Sequence, residues 1–309
     1  MKSYLNRREC LQLGAAAILG TSLRAADKPA ARMTFGFSLY GMRSLPLDDA
    51  LAECAKIGYD AVELSLMPGY PSEPAKLDKV ARKKLRDRLG ELKLALPALM
   101  ENLPPDADDK KHQAQLDRLK AAAELGHDLA PDKAPIIETI LGGKPDQWEN
   151  MRDLFAKRLA DWAKMAEAAK VIIAVKPHRS NAMNLPEHGR WLLDKVNSPS
   201  IRLAYDWSHF EQRGLTMKDT LRAVIPFASF VHVKDTVIVK DKPAFVLPGE
   251  GTTDYVQLLT GLKDEGYAGC VCVEVSGMVS GRKDYDPRAA AKKCYEKLAP
   301  AFAQTKVRS

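Results

Sequence analysis

Several short polar groups each follow an apolar run of strand length, and their residue types could do chemistry together. They are Lys176-Pro177-His178-Arg179, Asp206-Trp207-Ser208-His209, His232-Val233-Lys234-Asp235 and Glu274-Val275-Ser276, with Glu63, Glu101 and Glu138 similarly placed. The chain has six histidines, and three of them, His178, His209 and His232, fall in these groups. Two carboxylates and an imidazole meeting at one point, as Asp206, Glu274 and His232 could, suit a divalent cation such as Mn²⁺, Mg²⁺ or Zn²⁺. The same residues could instead form a buried polar network without metal.

The elements that must position these groups are read from the alternation of apolar runs with helix-period segments. Strands are predicted over 33–40, 60–66, 94–100, 135–141, 171–175, 201–205, 227–233 and 270–275. Helices are predicted over 46–57, 77–92, 108–125, 147–169, 186–196, 217–224, 254–265 and 286–303, with Gly58 and Gly126 closing the first and third. Eight strand–helix units over residues 33–303 predict an α/β protein, a single (β/α)8 TIM barrel. No GxGxxG follows the first strand, so the usual dinucleotide signature is missing.

In such a barrel the reacting groups sit where strands run into the following loops. Side chains alternate along a strand, so Asp206 shares a face with Ala204 and Arg202, His232 with Phe230 and Ala228, and Glu274 with Cys272 and Cys270. With these sets inward, the three strand-end residues converge.

The motifs Asp206-x-x-His209, His232-x-Lys234-Asp235, Gly249-x-Gly251-x-x-Asp254-Tyr255 and Gly266-Tyr267-x-Gly269 leading to Glu274 resemble the xylose-isomerase-like TIM barrels, the sugar phosphate isomerase/epimerase group. The resemblance covers roughly residues 33 to 303, and its specific motifs lie in the second half. It implies a divalent metal held by Asp206, His232 and Glu274, and a substrate hydroxyl or carbonyl at His209. It also implies a glutamate on strand five, where this chain has Lys176. A metal beside Lys176 would push the lysine pKa down, and a charged lysine would weaken the metal. Lys176 is therefore expected in one of three roles: a neutral acid or base, an ion-pair partner of Glu274 or Glu138, or a mark of a non-catalytic sugar binder. Glu138 could also supply the lost ligand.

The expected function is an isomerase or epimerase that abstracts a proton next to a sugar carbonyl. Glu274, Lys176 and His209 are the catalytic candidates, and His178, Arg179, Glu138 and Lys234 the substrate-binding ones. A 3-keto-sugar lyase or hydratase and a non-catalytic sugar-binding barrel are the alternatives. The expected partner is a small carbohydrate, with a homo-oligomer possible. A metal-dependent nuclease would need more His and carboxylate ligands than the strand ends offer. The net charge of +7 forms no basic stripe, which argues against nucleic acid.

Residues 1–26 read as an export signal. Arg7-Arg8 precede an apolar stretch from Leu11 to Leu23, then Ala25 and Ala26, the order of a twin-arginine-like leader to the periplasm. Beyond that segment no membrane association is expected. Of five cysteines, Cys270 and Cys272 alternate on one strand and read as small core fillers.

Overall fold

Eight parallel strands close on themselves, as the alternation predicted. They are β1 (Thr34–Ser38), β2 (Ala61–Ser65), β3 (Ala95–Met100), β4 (Ile136–Thr139), β5 (Ile173–Val175), β6 (Ile201–Asp206), β7 (Ala228–Val233) and, after the two-stranded insertion β8 (Asp235–Val239) and β9 (Lys242–Val246), β10 (Cys270–Val273). Around the barrel the order is β1, β10, β7, β6, β5, β4, β3, β2. The computed structural model describes residues 32–211, 213–240 and 242–309; the export signal expected over 1–26 lies outside them. Among the described residues no helix is long and apolar enough to cross a membrane.

The helices follow the strands in turn: α1 (Leu47–Ile57), α2 (Lys79–Glu91), α3 (Asp109–Leu129), α4 (Trp148–Ala169), α5 (Pro186–Val196), α6 (Met217–Val224), α7 (Tyr255–Asp264), the short α8 (Gly277–Ser280) and α9 (Pro287–Thr305). Their ends have local causes. Asp78, Asp108, Thr216 and Asp254 each accept a backbone N–H in the first turn. Gly58 terminates α1 at φ 108°, as expected. Gly126 does not end α3, which runs on to Leu129. The missing Cβ there serves close packing instead, because it would lie 3.2 Å from Pro135.

Two side-chain layers divide the work. Outward positions such as Phe35, Leu64, Leu99, Ile137, Val175, Leu203, Val231 and Val273 are buried under the helices. The barrel interior is filled by small groups, Ala61, Ala98, Ala174, Ala204, Cys270 and Cys272, with Phe230 and Ile136. Two residues further along these strands stand Glu63, Glu138, Lys176, Asp206, His232 and Glu274, so the polar site floats on that layer. Cys270 and Cys272 are buried free thiols, as their spacing predicted.

The hairpin β8–β9 was not foreseen. β7 leads through Lys234 straight into β8, which pairs antiparallel with β9 from Asp235↔Val246 to Val239↔Lys242. Asp235 anchors its base by accepting from Gly249 N (3.0 Å), Thr253 N (3.1 Å) and Tyr255 Oη (3.4 Å). Gly251 passes so close that a Cβ would overlap the Asp235 carboxylate and the Thr236 carbonyl. This explains the glycines and the tyrosine of the Gly249-x-Gly251-x-x-Asp254-Tyr255 motif.

Candidate active site

The strand ends hold their side chains firmly because their backbones remain in the sheet. Lys176 N donates to Thr139 O and Glu274 N to Val233 O. Asp206 lies directly across from His232 in the register of β6 and β7, and His232 across from Cys272. The inward phase expected for Asp206, His232 and Glu274 is the one observed.

Lys176 is the hub. Its Nζ stands 2.7 Å from Glu274 Oε2, 2.8 Å from His232 Nδ1 and 3.2 Å from Glu138 Oε1. Lys234 Nζ bridges Asp206 Oδ2 (2.8 Å) and Glu274 Oε2 (2.9 Å). On the other side of the imidazole, His232 Nε2 meets Glu63 Oε2 at 2.9 Å. Glu63, in phase with Ala61 on β2, thus joins the site, although its strand-end position alone assigns it no role. Asp206 Oδ1 accepts from Ser208 Oγ (2.6 Å) and Ser208 N (3.1 Å), which fixes the carboxylate at the strand end.

This geometry sets the charges. Burial would lower Lys176, but Glu138, Glu274 and Asp206 outweigh it and hold the amine above its ordinary range. That direction favours the ion-pair role for Lys176 over the neutral acid or base. Burial would raise Glu274, but Lys176, Lys234 and His232 keep its carboxyl well below the usual range. Glu138 goes the other way: burial raises it, and Lys176 and His232 only partly offset that. For His232, burial lowers and Glu63 raises, with a net rise.

His178 and His209 form a second subsite, with ring centroids 4.0 Å apart. Burial, followed by Lys234 and Lys176, pushes His178 down to about 3. Burial, His178 and the same lysines push His209 well down too. Both are neutral donors and acceptors near neutrality. Among the described residues the two ring nitrogens of His209 have no hydrogen-bond partner; Nε2 lies 3.4 Å from Asp206 Oδ2. Arg179 donates to Ser208 O at 3.4 Å.

A cavity of about 130 Å³ opens over these groups. Glu138, Lys176, His178, Lys234 and Glu274 line it, whereas Asp206, His209, His232 and Arg179 do not. Glu101, Asn102, Tyr40 and Phe245 also line it. Phe245 comes from the hairpin and lies 5.5 Å from Lys234 Nζ and 5.6 Å from the His209 ring. The β-branched run 236–239 and the turn at Lys240 were the signals that could have located it.

Asp206, His232 and Glu274 are thus brought together, but not around a shared open position. The donor atoms facing one another are already engaged by Lys176 and Lys234, so this set as arranged does not fit a metal ion. A different grouping of metal-ligating type joins this layer to Cys272 in the one beneath it. Donor atoms of Glu63, His232 and Cys272 lie within 4.8 Å of one another, all buried.

The family model described as xylose isomerase-like TIM barrel matches residues 51–298. An inosose isomerase of Bacillus licheniformis is 26% identical over 233 residues, covering 73% of this chain and 82% of that protein. An inosose dehydratase of Geobacillus kaustophilus is 21% identical over 290 residues, covering 82% and 85%. Among solved structures, the IolI protein with a bound zinc atom superposes with a TM-score of 0.74. It is 20% identical and covers 88% of this chain and 99% of that one, a likeness of fold.

Proposed function

Because the chain belongs to the xylose isomerase-like TIM barrel family and is an isomerase/epimerase-like enzyme, we propose that it acts on a keto-sugar or a ring polyol bearing a ketone, by moving a proton next to the carbonyl. The observation that carries this reading is the arrangement around Lys176. Two carboxylates of opposite tendency, Glu138 and Glu274, flank one ammonium at the floor of a single small cavity.

The roles follow from the charges. Glu138, with its raised pKa, is suited to take a proton and return it. Its carboxylate would accept the proton of the α C–H bond, and that electron pair would form the C=C bond of an enediolate. The ammoniums of Lys176 and Lys234 stabilise the negative charge arriving on the former carbonyl oxygen. Glu274 holds both ammoniums in place, a change from the base expected of it. His178 offers a neutral imidazole to a substrate hydroxyl, with His209 and Arg179 beside it. Reprotonation gives isomerisation or epimerisation. If a hydroxyl leaves from the β carbon instead, the same intermediate gives dehydration, a variant supported by the inosose dehydratase relative.

A divalent metal is supported at a coarse level by the zinc of the IolI protein and by the Glu63, His232 and Cys272 grouping. No step above runs through it, and the choice among Mn²⁺, Mg²⁺ and Zn²⁺ is one for measurement. Export to the periplasm also belongs to the proposal, on the strength of Arg7-Arg8 and the apolar stretch after them.

The test is proton exchange. The purified chain is incubated in D₂O with inososes and 3-keto-sugars, and loss of the α C–H signal is followed by proton NMR. Exchange that disappears in Glu138→Gln supports the proposal. Substrate that binds without exchange, or exchange untouched by Glu138→Gln, overturns it. Dehydration would show as a new conjugated carbonyl absorbance.

A further inference from the structure

We propose that the ammonium of Lys176 is the resident cation of the strand-end site, built into the chain in the position a divalent ion would take among Glu138, His232 and Glu274. An ammonium has three N–H donors; this one is hydrogen-bonded to Glu274 Oε2 at 2.7 Å and His232 Nδ1 at 2.8 Å, with Glu138 Oε1 beside it as an ion-pair partner at 3.2 Å, three groups from three different strands. Glu63 Oε2, an acceptor 2.9 Å from His232 Nε2, favours the Nε2–H tautomer and leaves Nδ1, which also lies 3.1 Å from Glu274 Oε2, to accept. That tautomer is the one which serves a cation, whether metal or ammonium.

The remaining donors are committed in the same way. Lys234 Nζ takes Asp206 Oδ2 at 2.8 Å and shares Glu274 Oε2 at 2.9 Å. A divalent ion entering between Asp206, His232 and Glu274 would meet two ammoniums in contact with its own ligands. Lys176 is almost wholly buried (3% exposed) and stands two residues beyond Ala174 of the barrel interior. Its amine still lines the cavity and can reach a substrate oxygen. The chain therefore carries its electrophile covalently, and the strand-end site works without an exchangeable metal. The charge-stabilising role of Lys176 rests on the proposed function; its occupation of the ion's position does not.

Mn²⁺ is the probe, because it suits the carboxylates of the strand-end site and disfavours the thiol of Cys272. Wild type, Lys176→Glu and Lys176→Gln, each checked by circular dichroism, are dialysed against Mn²⁺, and bound ion is counted by electron paramagnetic resonance. The expected result is no stoichiometric Mn²⁺ on wild type and about one ion per chain on Lys176→Glu, where a carboxylate replaces the ammonium. Lys176→Gln, which removes the charge without adding a ligand, should bind at least about tenfold more tightly than wild type. Wild type that holds about one Mn²⁺ per chain, lost in Glu274→Gln, overturns the proposal. So do two folded variants that hold none. If neither variant folds, the wild-type count alone decides. The count is independent of turnover, so its failure is distinguishable from failure of the proton-transfer reading.

Discussion

Lys176 Nζ and Glu274 Oε2 lie 2.7 Å apart although their strands, β5 and β10, are separated in the barrel by β6 and β7. The pair therefore spans the barrel mouth and ties its two sides together. Removing one member of a buried ion pair leaves the other uncompensated, which costs about 3–5 kcal/mol. Lys176→Met strands Glu138 and leaves Glu274 only Lys234 and His232, so a loss of that size is expected in urea unfolding at neutral pH. Adding Glu274→Gln to Lys176→Met should recover part of it. A Lys176→Met protein as stable as wild type would show that the contact carries no energy.

The two glutamates beside Lys176 differ in direction, and this divides their kinetic signatures. Glu138 is raised, chiefly by burial, and a general base must be ionised to act. Activity should fall as pH drops through the raised Glu138 value, giving an acid limb above the ordinary glutamate range. Glu274→Gln should lower kcat through the loosened lysines yet keep that limb. Glu138→Gln should lower kcat by about 10²–10⁴. An acid limb that vanishes in Glu274→Gln would reassign the base to Glu274.

The barrel was legible because strand and helix periods alternate cleanly and inward and outward residues differ in kind. Ala174 below Lys176 and Ala204 below Asp206 betray the interior phase without any structure. The convergence of Asp206, His232 and Glu274 followed from that phase, and Lys176 came in through the strand-five position of the family pattern. What the pattern could not show was which oxygen faces which nitrogen. Whether Lys176 displaces a cation or merely neighbours one depends on distances set by four strands at once. The hairpin escaped for a different reason: β7 and β8 are joined by Lys234 alone, so two strands read as one run followed by a loop. Gly126 misled in turn, because a glycine needed for contact with Pro135 looks in sequence like one that ends a helix.

The buried imidazoles make a stability prediction with a definite sign. His178 titrates at about 3 in the folded chain against 6.5 for an ordinary histidine. Between those values the unfolded chain binds a proton that the folded chain does not. The His178 contribution is thus fully present above about pH 6.5 and is lost as pH falls, by up to about 1.4 kcal/mol per pH unit. His209 has the same sign. His232, raised overall, has the opposite one, so its contribution is lost as pH rises. Glu274, held below the 4.5 of an ordinary glutamate, adds its own acid-side loss only beneath that value. In the window between 4.5 and 6.5, Glu138 and Glu101, both raised chiefly by burial, begin to titrate with the opposite sign, so the imidazole is isolated only by comparison with a variant that lacks it. Urea midpoints at steps across that window should fall less steeply for His178→Asn than for wild type; equal slopes would contradict the buried neutral state.

Gly251→Ala tests whether the hairpin positions the cavity wall. The added Cβ would overlap the Asp235 carboxylate and the Thr236 carbonyl, and neither can yield cheaply. Asp235 is fixed by Gly249 N and Thr253 N, and Thr236 lies in β8 paired with Phe245. Relief of the overlap must shift the base of the hairpin, and Phe245 moves with it. Overpacking of this kind costs about 1–3 kcal/mol. The melting temperature should fall by several degrees, taking about 2–4 °C per kcal/mol for a chain of comparable size. KM should rise by about tenfold, the equivalent of about 1.4 kcal/mol of binding, while kcat changes less, because Lys176 and Glu138 belong to other strands. Gly90→Ala is the matched control: it lies in α2, and nothing within 4 Å would meet its Cβ, so it should leave both quantities unchanged or raise the melting temperature slightly. A Gly251→Ala protein with wild-type KM but a lowered melting temperature would show that the hairpin stabilises the barrel without shaping the site.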